Sequence, residues 1–218
     1  MTRITDHFNE PILITGIPRS GTSMVAGTIA RCGAWTGTTV KGLYEHIDIR
    51  ENAIKLLLRG FGCDPMGVKK LPDVPLTAKM PSLAAYIRTL IDADGYRGER
   101  WAYKGCKMTL LWPLFVHAFP DAKWVIVVRP RKEVVASCMR TPFMNQHGLT
   151  EDQWHEWCEE YEDRFDWIAN TAKSARVVYC NKFSADADYV EDVITRLGLT
   201  YDEDRARKWI DPDKLGRG

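Results

Sequence analysis

Between Gly16 and Ser23 the chain reads GIPRSGTS. That stretch nearly matches G-x-x-x-x-G-K-[ST], the loop whose backbone N–H groups cradle a phosphate. Gly16, Gly21 and Ser23 fit the pattern, while Thr22 stands where the loop lysine belongs. A cation is still supplied, because Arg19 lies inside the loop. A glycine turn entering a helix presents N–H groups and the positive helix end to an anion. Ser20, Gly21, Thr22 and Ser23 can therefore hold a phosphate, with Arg19 adding the charge.

A second set of residues lies in WVIVVRPRKEVVASCMR, residues 124–140. In magnesium-using P-loop enzymes an apolar strand of this kind often ends in an aspartate that helps hold the metal. This one ends in Arg129, a poor metal partner and a good anion partner. Ser137 follows in the next segment. If strand and helix pack side by side, the two can face one anion, the guanidinium as a charge-assisted fork and the hydroxyl as a single donor.

These residues need a scaffold that turns strands into helices at one end of a sheet. The short apolar run 12–17 reads as a buried strand, and 22–33 as a helix closed by Gly33. Further helices are expected near 49–60 and over 82–95, 109–120, 131–140 and 186–199, with strands at 100–105, 122–130 and 175–180. The stretches 60–81 and 141–149 read as loops, as does the tail 211–218. Thr150 and Gln153 form a capping box. Behind it Trp154, Trp157, Tyr161, Phe165 and Ile168 recur at helical spacing, which marks a core-facing stripe. Strands alternating with helices predict an α/β three-layer sandwich around a mostly parallel sheet, with residues 1–218 as one domain.

Bulk properties narrow the function. With 45% hydrophobic and 27% charged residues the chain can bury a core, and a formal net charge of +1 argues against a non-specific nucleic-acid binder. The six cysteines include no C-x-x-C pair and read as buried reduced thiols. His155 and Cys158 are one helical turn apart without a second ligand pair, so no zinc site is expected. No run approaches the ~20 apolar residues of a membrane span, and the N-terminus is too polar for a signal peptide. A cytoplasmic protein is expected.

Together, GIPRSGTS and VRPRKEVVAS resemble the two nucleotide-binding motifs of the sulfotransferases, the 5′-phosphosulfate loop and the 3′-phosphate motif. The stretch WAYKGCKMTLLWPLFVHAFPDAKWVIVVRP is similar to the bacterial branch of that family. The resemblance implies a P-loop nucleoside triphosphate hydrolase-like fold and transfer of a sulfuryl group from 3′-phosphoadenosine 5′-phosphosulfate (PAPS) to a hydroxyl or amine, without metal. It implies Arg19, Ser20, Gly21, Thr22 and Ser23 at the 5′-phosphate, Arg129 and Ser137 at the 3′-phosphate, and Lys104 beside the transferring group. The family often continues Lys-Thr after that lysine, where this chain has Gly105-Cys106, and its Glu-Asp-Leu after the last strand is Asn181-Lys182-Phe183 here. No histidine stands where the cytosolic branch keeps its base. Glu45, in GLYEHIDIREN, is the candidate catalytic base, and His46 is its rival.

The acceptor is open among carbohydrate, lipid headgroup, small alcohol and amine. Lys69 and Lys70 form a solvated pair or attract an anionic acceptor. Two other readings compete: a P-loop kinase, which would need magnesium, and a non-catalytic nucleotide-binding protein.

Overall fold

A computed structural model describes residues 6–69 and 71–210. The tail 211–218 and Lys70 lie outside them. Four strands, β1 (Ile12–Gly16), β2 (Ala102–Lys104), β3 (Lys123–Val128) and β4 (Ser174–Tyr179), form one parallel sheet in the order β2-β1-β3-β4. The two strands that lead into the anion-binding motifs are therefore central neighbours, with Ile12 opposite Lys123 and Gly16 opposite Val127.

Strand side chains alternate between faces, and each face has its own core. Leu13, Trp124 and Ile126 join one cluster, while Ile12, Ile14, Val125 and Val127 join the other. On the second face pack α1 (Thr22–Arg31), α8 (Cys180–Ala185) and α9 (Ala187–Arg196). On the first lie α3 (Ser82–Ala93), α4 (Trp112–Ala118), α5 (Arg131–Arg140) and α7 (Glu151–Thr171). Helices on both faces of a parallel sheet make the α/β three-layer sandwich that the alternation predicted.

Thr150 accepts from the Gln153 backbone and the Gln153 side chain returns the bond, so the expected capping box opens α7. All five residues of its stripe are buried. The six cysteines are free and buried. Among the described residues no helix is long and apolar enough to cross a membrane.

Local readings fell short at several places: the expected helix 109–120 opens as a 3-10 helix, Cys106–Leu111, before α4, and α8 follows β4 directly from Cys180. The helical stretch near 49–60 begins as a π-helix, Ile49–Ile54, before α2 (Lys55–Gly60). The expected loop 141–149 contains a short helix, α6 (Pro142–Asn145). A further helix, α10 (Glu203–Trp209), follows α9. Asp202 caps it, and the Trp209 indole donates to the Met24 carbonyl of α1 at 3.0 Å. Gly27 makes room for that docking, because a Cβ there would sit 2.3 Å from the indole nitrogen.

Candidate active site

The loop between β1 and α1 is tightly built. A Cβ on Gly16 would lie 2.5 Å from the Val127 carbonyl oxygen, so only glycine lets β1 turn against β3. Gly21 takes φ 90° and Arg19 takes φ 77°, unusual for a residue with a side chain. That conformation costs on the order of 1–2 kcal/mol and is typical of ligand-holding loops. Past Gly21, the Thr22 and Ser23 N–H groups open α1 with no acceptor inside the helix. Thr22 Oγ1 stands 3.5 Å from Cys106 Sγ, and Ser23 Oγ donates to the Leu43 carbonyl at 3.3 Å. Ser20 Oγ is sealed in the loop without a partner among the described residues.

Arg129 and Ser137 both reach this loop. An Arg129 Nη1 donates to the Arg19 carbonyl at 3.4 Å, and Arg19 Nε donates to Ser137 Oγ at 3.0 Å. The expected pair thus meets around Arg19, with Ser137 on the Arg19 guanidinium. Arg129 Nε pairs with Glu133 at 2.7 Å, one turn along. Burial lowers the Arg19 pKa, and among the charges nearby Arg129 and Arg140 act the same way. Two guanidiniums held this close favour an anion between them. Beside them, a cleft of about 460 Å³ opens between the ends of β3 and β4, lined by Val128, Arg129, Tyr179, Asn181 and Lys182 among others.

The third group sits at the end of β2. Lys104 is 4% exposed and donates to Glu45 Oε1 at 2.9 Å. Arg50, on the π-helix, stands 2.9 Å from Glu45 Oε2. Burial acts to raise the Glu45 pKa, but Lys104, Lys107 and Arg50 outweigh it and hold the carboxyl below its ordinary range. Burial acts to lower the Lys104 pKa, and the electrostatic interactions with Cys106 and Glu45, with the hydrogen bond to Glu45, outweigh that, so it rises. Both groups are therefore ionised at neutral pH.

Backbone geometry aims these side chains. Glu45 and His46 lie on a bridged turn, with Thr39 opposite His46 and the Val40 N–H on the Glu45 carbonyl at 2.9 Å. Tyr44 takes φ 57°, its ring packs on Trp209, and its hydroxyl oxygen accepts from Arg31 Nη1. Glu45 then turns to Lys104, while His46 turns the other way. His46 Nε2 stands 3.2 Å from Asp94, and its ring lies 5.8 Å from that of Trp35. Burial lowers the His46 pKa against the pull of Asp94. Gly105 also has a reason in packing: a Cβ there would meet the Tyr103 ring at 2.8 Å. Its N–H donates to the Ile14 carbonyl at 3.0 Å, tying the Lys104 segment to β1.

A model of the sulfotransferase family matches residues 11–203. The chain belongs to the sulfotransferase family. Among solved structures it is similar to the sulfotransferase domain of an olefin synthase from Synechococcus PCC 7002, at 16% identity and a TM-score of 0.54, with 99% of this chain and 86% of that one covered. A sulfotransferase of Mycobacterium avium matches at 15% identity and a TM-score of 0.58, covering 95% of this chain and 68% of that one. A sulfotransferase domain from the curacin biosynthetic pathway matches at 12% identity and a TM-score of 0.58, covering 96% and 80%. These likenesses show the fold, P-loop NTPase-like. A comparison with curated proteins gives no significant match.

Two residues of this sulfotransferase escaped the sequence reading. Arg50 and Lys107 both act on Glu45, yet neither belongs to a motif. Their only early signal was cationic type near a singled-out residue. Lys69, by contrast, is exposed.

Proposed function

We propose that this sulfotransferase moves a sulfuryl group from PAPS to a hydroxyl or amine of its acceptor. The observation that carries the reading is convergence: the 16–23 loop, the Arg129–Ser137 pair and the Lys104–Glu45 pair meet at one end of the sheet. α/β proteins bind ligands at the carboxyl ends of their strands.

In this reading the N–H groups of Gly21, Thr22 and Ser23, with Arg19 and the Thr22 and Ser23 hydroxyls, hold the 5′-phosphate. Arg129 and Ser137 hold the 3′-phosphate at the mouth of the β3–β4 cleft. The magnitudes favour that exchange. The Arg129–Glu133 pair is an i,i+4 contact to a 41%-exposed carboxylate, worth about 0.3–0.5 kcal/mol. A charge-assisted bond to phosphate contributes about 1.5–3 kcal/mol, so phosphate displaces Glu133. Lys104 balances charge on the transferring group. Glu45 takes the acceptor proton as the new bond from sulfur to the acceptor oxygen or nitrogen forms and the S–O bond to the 5′-phosphate breaks. The proton ends on Glu45, and the negative charge ends on the phosphate, facing the loop N–H groups and Arg19.

Glu45 is preferred to His46 because His46 is turned to Asp94 and Trp35. A kinase remains the second reading for a phosphate loop, and Arg129 in the place of a metal-holding acid speaks against it. The test is release of 3′,5′-bisphosphoadenosine from labelled PAPS, with and without acceptors, in chelator. Acceptor-dependent release in chelator is expected. A strict magnesium requirement with nucleoside triphosphate as donor would turn the assignment to the kinase, and nucleotide binding without any turnover to a binding protein.

A further inference from the structure

Among the described residues, the cluster around Glu45 holds one cation without a partner. Lys104 and Arg50 each take one Glu45 oxygen, and Lys55 holds both oxygens of Glu51 at 2.7 Å. Lys107, in the first turn of the 3-10 helix Cys106–Leu111, is half-buried and has no hydrogen bond or ion pair among the described residues. Its ammonium is not one of the sealed unpaired atoms, so it retains access to solvent. An ammonium has three donors and no acceptor capacity. Holding one half-buried and unpaired costs stability that Met or Leu would not. Burial pulls the Lys107 pKa down, with Glu45 opposing it, consistent with a cation short of counter-charge.

Its position separates it from the donor side. Lys104 ends β2 and pairs in register with Ile14, at the root of the phosphate loop. Lys107 lies under the connection between α2 and α3: a Cβ on Gly67 would stand 3.5 Å from Lys107 Cγ. That connection is a fixed wall, since Trp157 Nε1 on α7 donates to the Gly67 carbonyl at 3.0 Å. Lys107 therefore lies between the candidate base and a connection rather than between the base and the phosphate loop.

We propose that Lys107 binds a negative group carried by the acceptor, so that the acceptor is an alcohol or amine bearing its own carboxylate or phosphate. This rests on the sulfotransferase reading of the same site. When the donor occupies Lys104, Glu45 is released to the acceptor and Lys107 is still unmatched. An anion on the acceptor fills that place and fixes the reacting hydroxyl relative to Glu45.

The test uses matched probes on the full chain, with and without 3′,5′-bisphosphoadenosine. Glucose, glucuronate and glucose 6-phosphate form one set, and 4-hydroxybenzamide and 4-hydroxybenzoate form another. Binding is read by NMR titration, and transfer is read with labelled PAPS. In at least one set the charged member is expected to bind roughly ten- to a hundredfold more tightly than its neutral partner. The glucuronate and glucose 6-phosphate arms tell carboxylate from phosphate. Lys107→Met should collapse the preference and Lys107→Arg should retain it, with 3′,5′-bisphosphoadenosine affinity as the folding control. Equal or tighter binding of the neutral members, no binding by any charged probe, or a preference that survives Lys107→Met overturns the inference. Transfer to neutral acceptors as readily as to charged ones would do the same and leave the sulfotransferase reading standing. Failure to bind 3′,5′-bisphosphoadenosine would sink that reading, while the charge preference is still scored on the nucleotide-free protein.

Discussion

Glu45→Gln keeps the shape of the side chain and removes its charge. In the wild type that charge sits between Lys104 at 2.9 Å and Arg50 at 2.9 Å. The Lys104 ammonium has no other hydrogen-bond partner among the described residues, and the residue is buried. Removing one partner of a buried pair typically costs 3–5 kcal/mol. Here the Gln carbonyl still accepts from Lys104 and Arg50 keeps Glu51, so about 3 kcal/mol is expected in urea unfolding at neutral pH. Turnover should fall by roughly 10²-fold or more, the usual weight of a general base, while 3′,5′-bisphosphoadenosine affinity is nearly unchanged. The pH dependence has a definite sign. Glu45 lies below its ordinary value of 4.5 when folded. It therefore contributes stability above the unfolded value, and that stability is lost as pH falls through the folded value. The stability gap between wild type and Glu45→Gln should narrow across that acid window. Wild-type turnover in a correctly folded Glu45→Gln protein would refute the assignment of the base and make His46 the next residue to test. A gap that stays constant in acid would refute the charge argument.

Arg129→Ala should remove most of the preference for 3′,5′-bisphosphoadenosine over AMP, roughly ten- to a hundredfold in calorimetry without magnesium, and leave AMP binding much the same. Equal wild-type affinity for the two nucleotides would contradict the role given to Arg129. Arg50→Gln removes a cation from Glu45 Oε2, so the carboxyl pKa should rise and the acid limb of kcat/KM should move to higher pH. An unmoved limb would mean that Arg50 does not tune the base. Gly16→Ala places a methyl 2.5 Å from a backbone oxygen of β3. It should lower stability by about 1–3 kcal/mol in thermal unfolding and weaken nucleotide binding with it.

What the sequence determined by itself was local. The apolar run before Gly16, the glycine turn and the helix after it are consecutive, so their strand–loop–helix geometry follows from neighbouring residues. Arg129 was legible for the same reason, as a cation ending an apolar strand. The alternation of strands and helices also predicted the layered fold, while the strand order that makes β1 and β3 neighbours is a matter of tertiary structure. Tertiary structure decided everything that depends on close approach between distant residues. Ser137 bonds Arg19 across 118 positions, and Lys104 meets Glu45 across 59. The helix at Glu203–Trp209 is held by Trp209 against Gly27, a contact that no local pattern of the tail announces. Arg50 and Lys107 gain their meaning only from Glu45, because charges act through distance and burial and a sequence records neither. Glu45 and His46 are adjacent in the chain and equal in reach. The left-handed turn at Tyr44 and the bridged turn that follows send one to Lys104 and the other to Asp94.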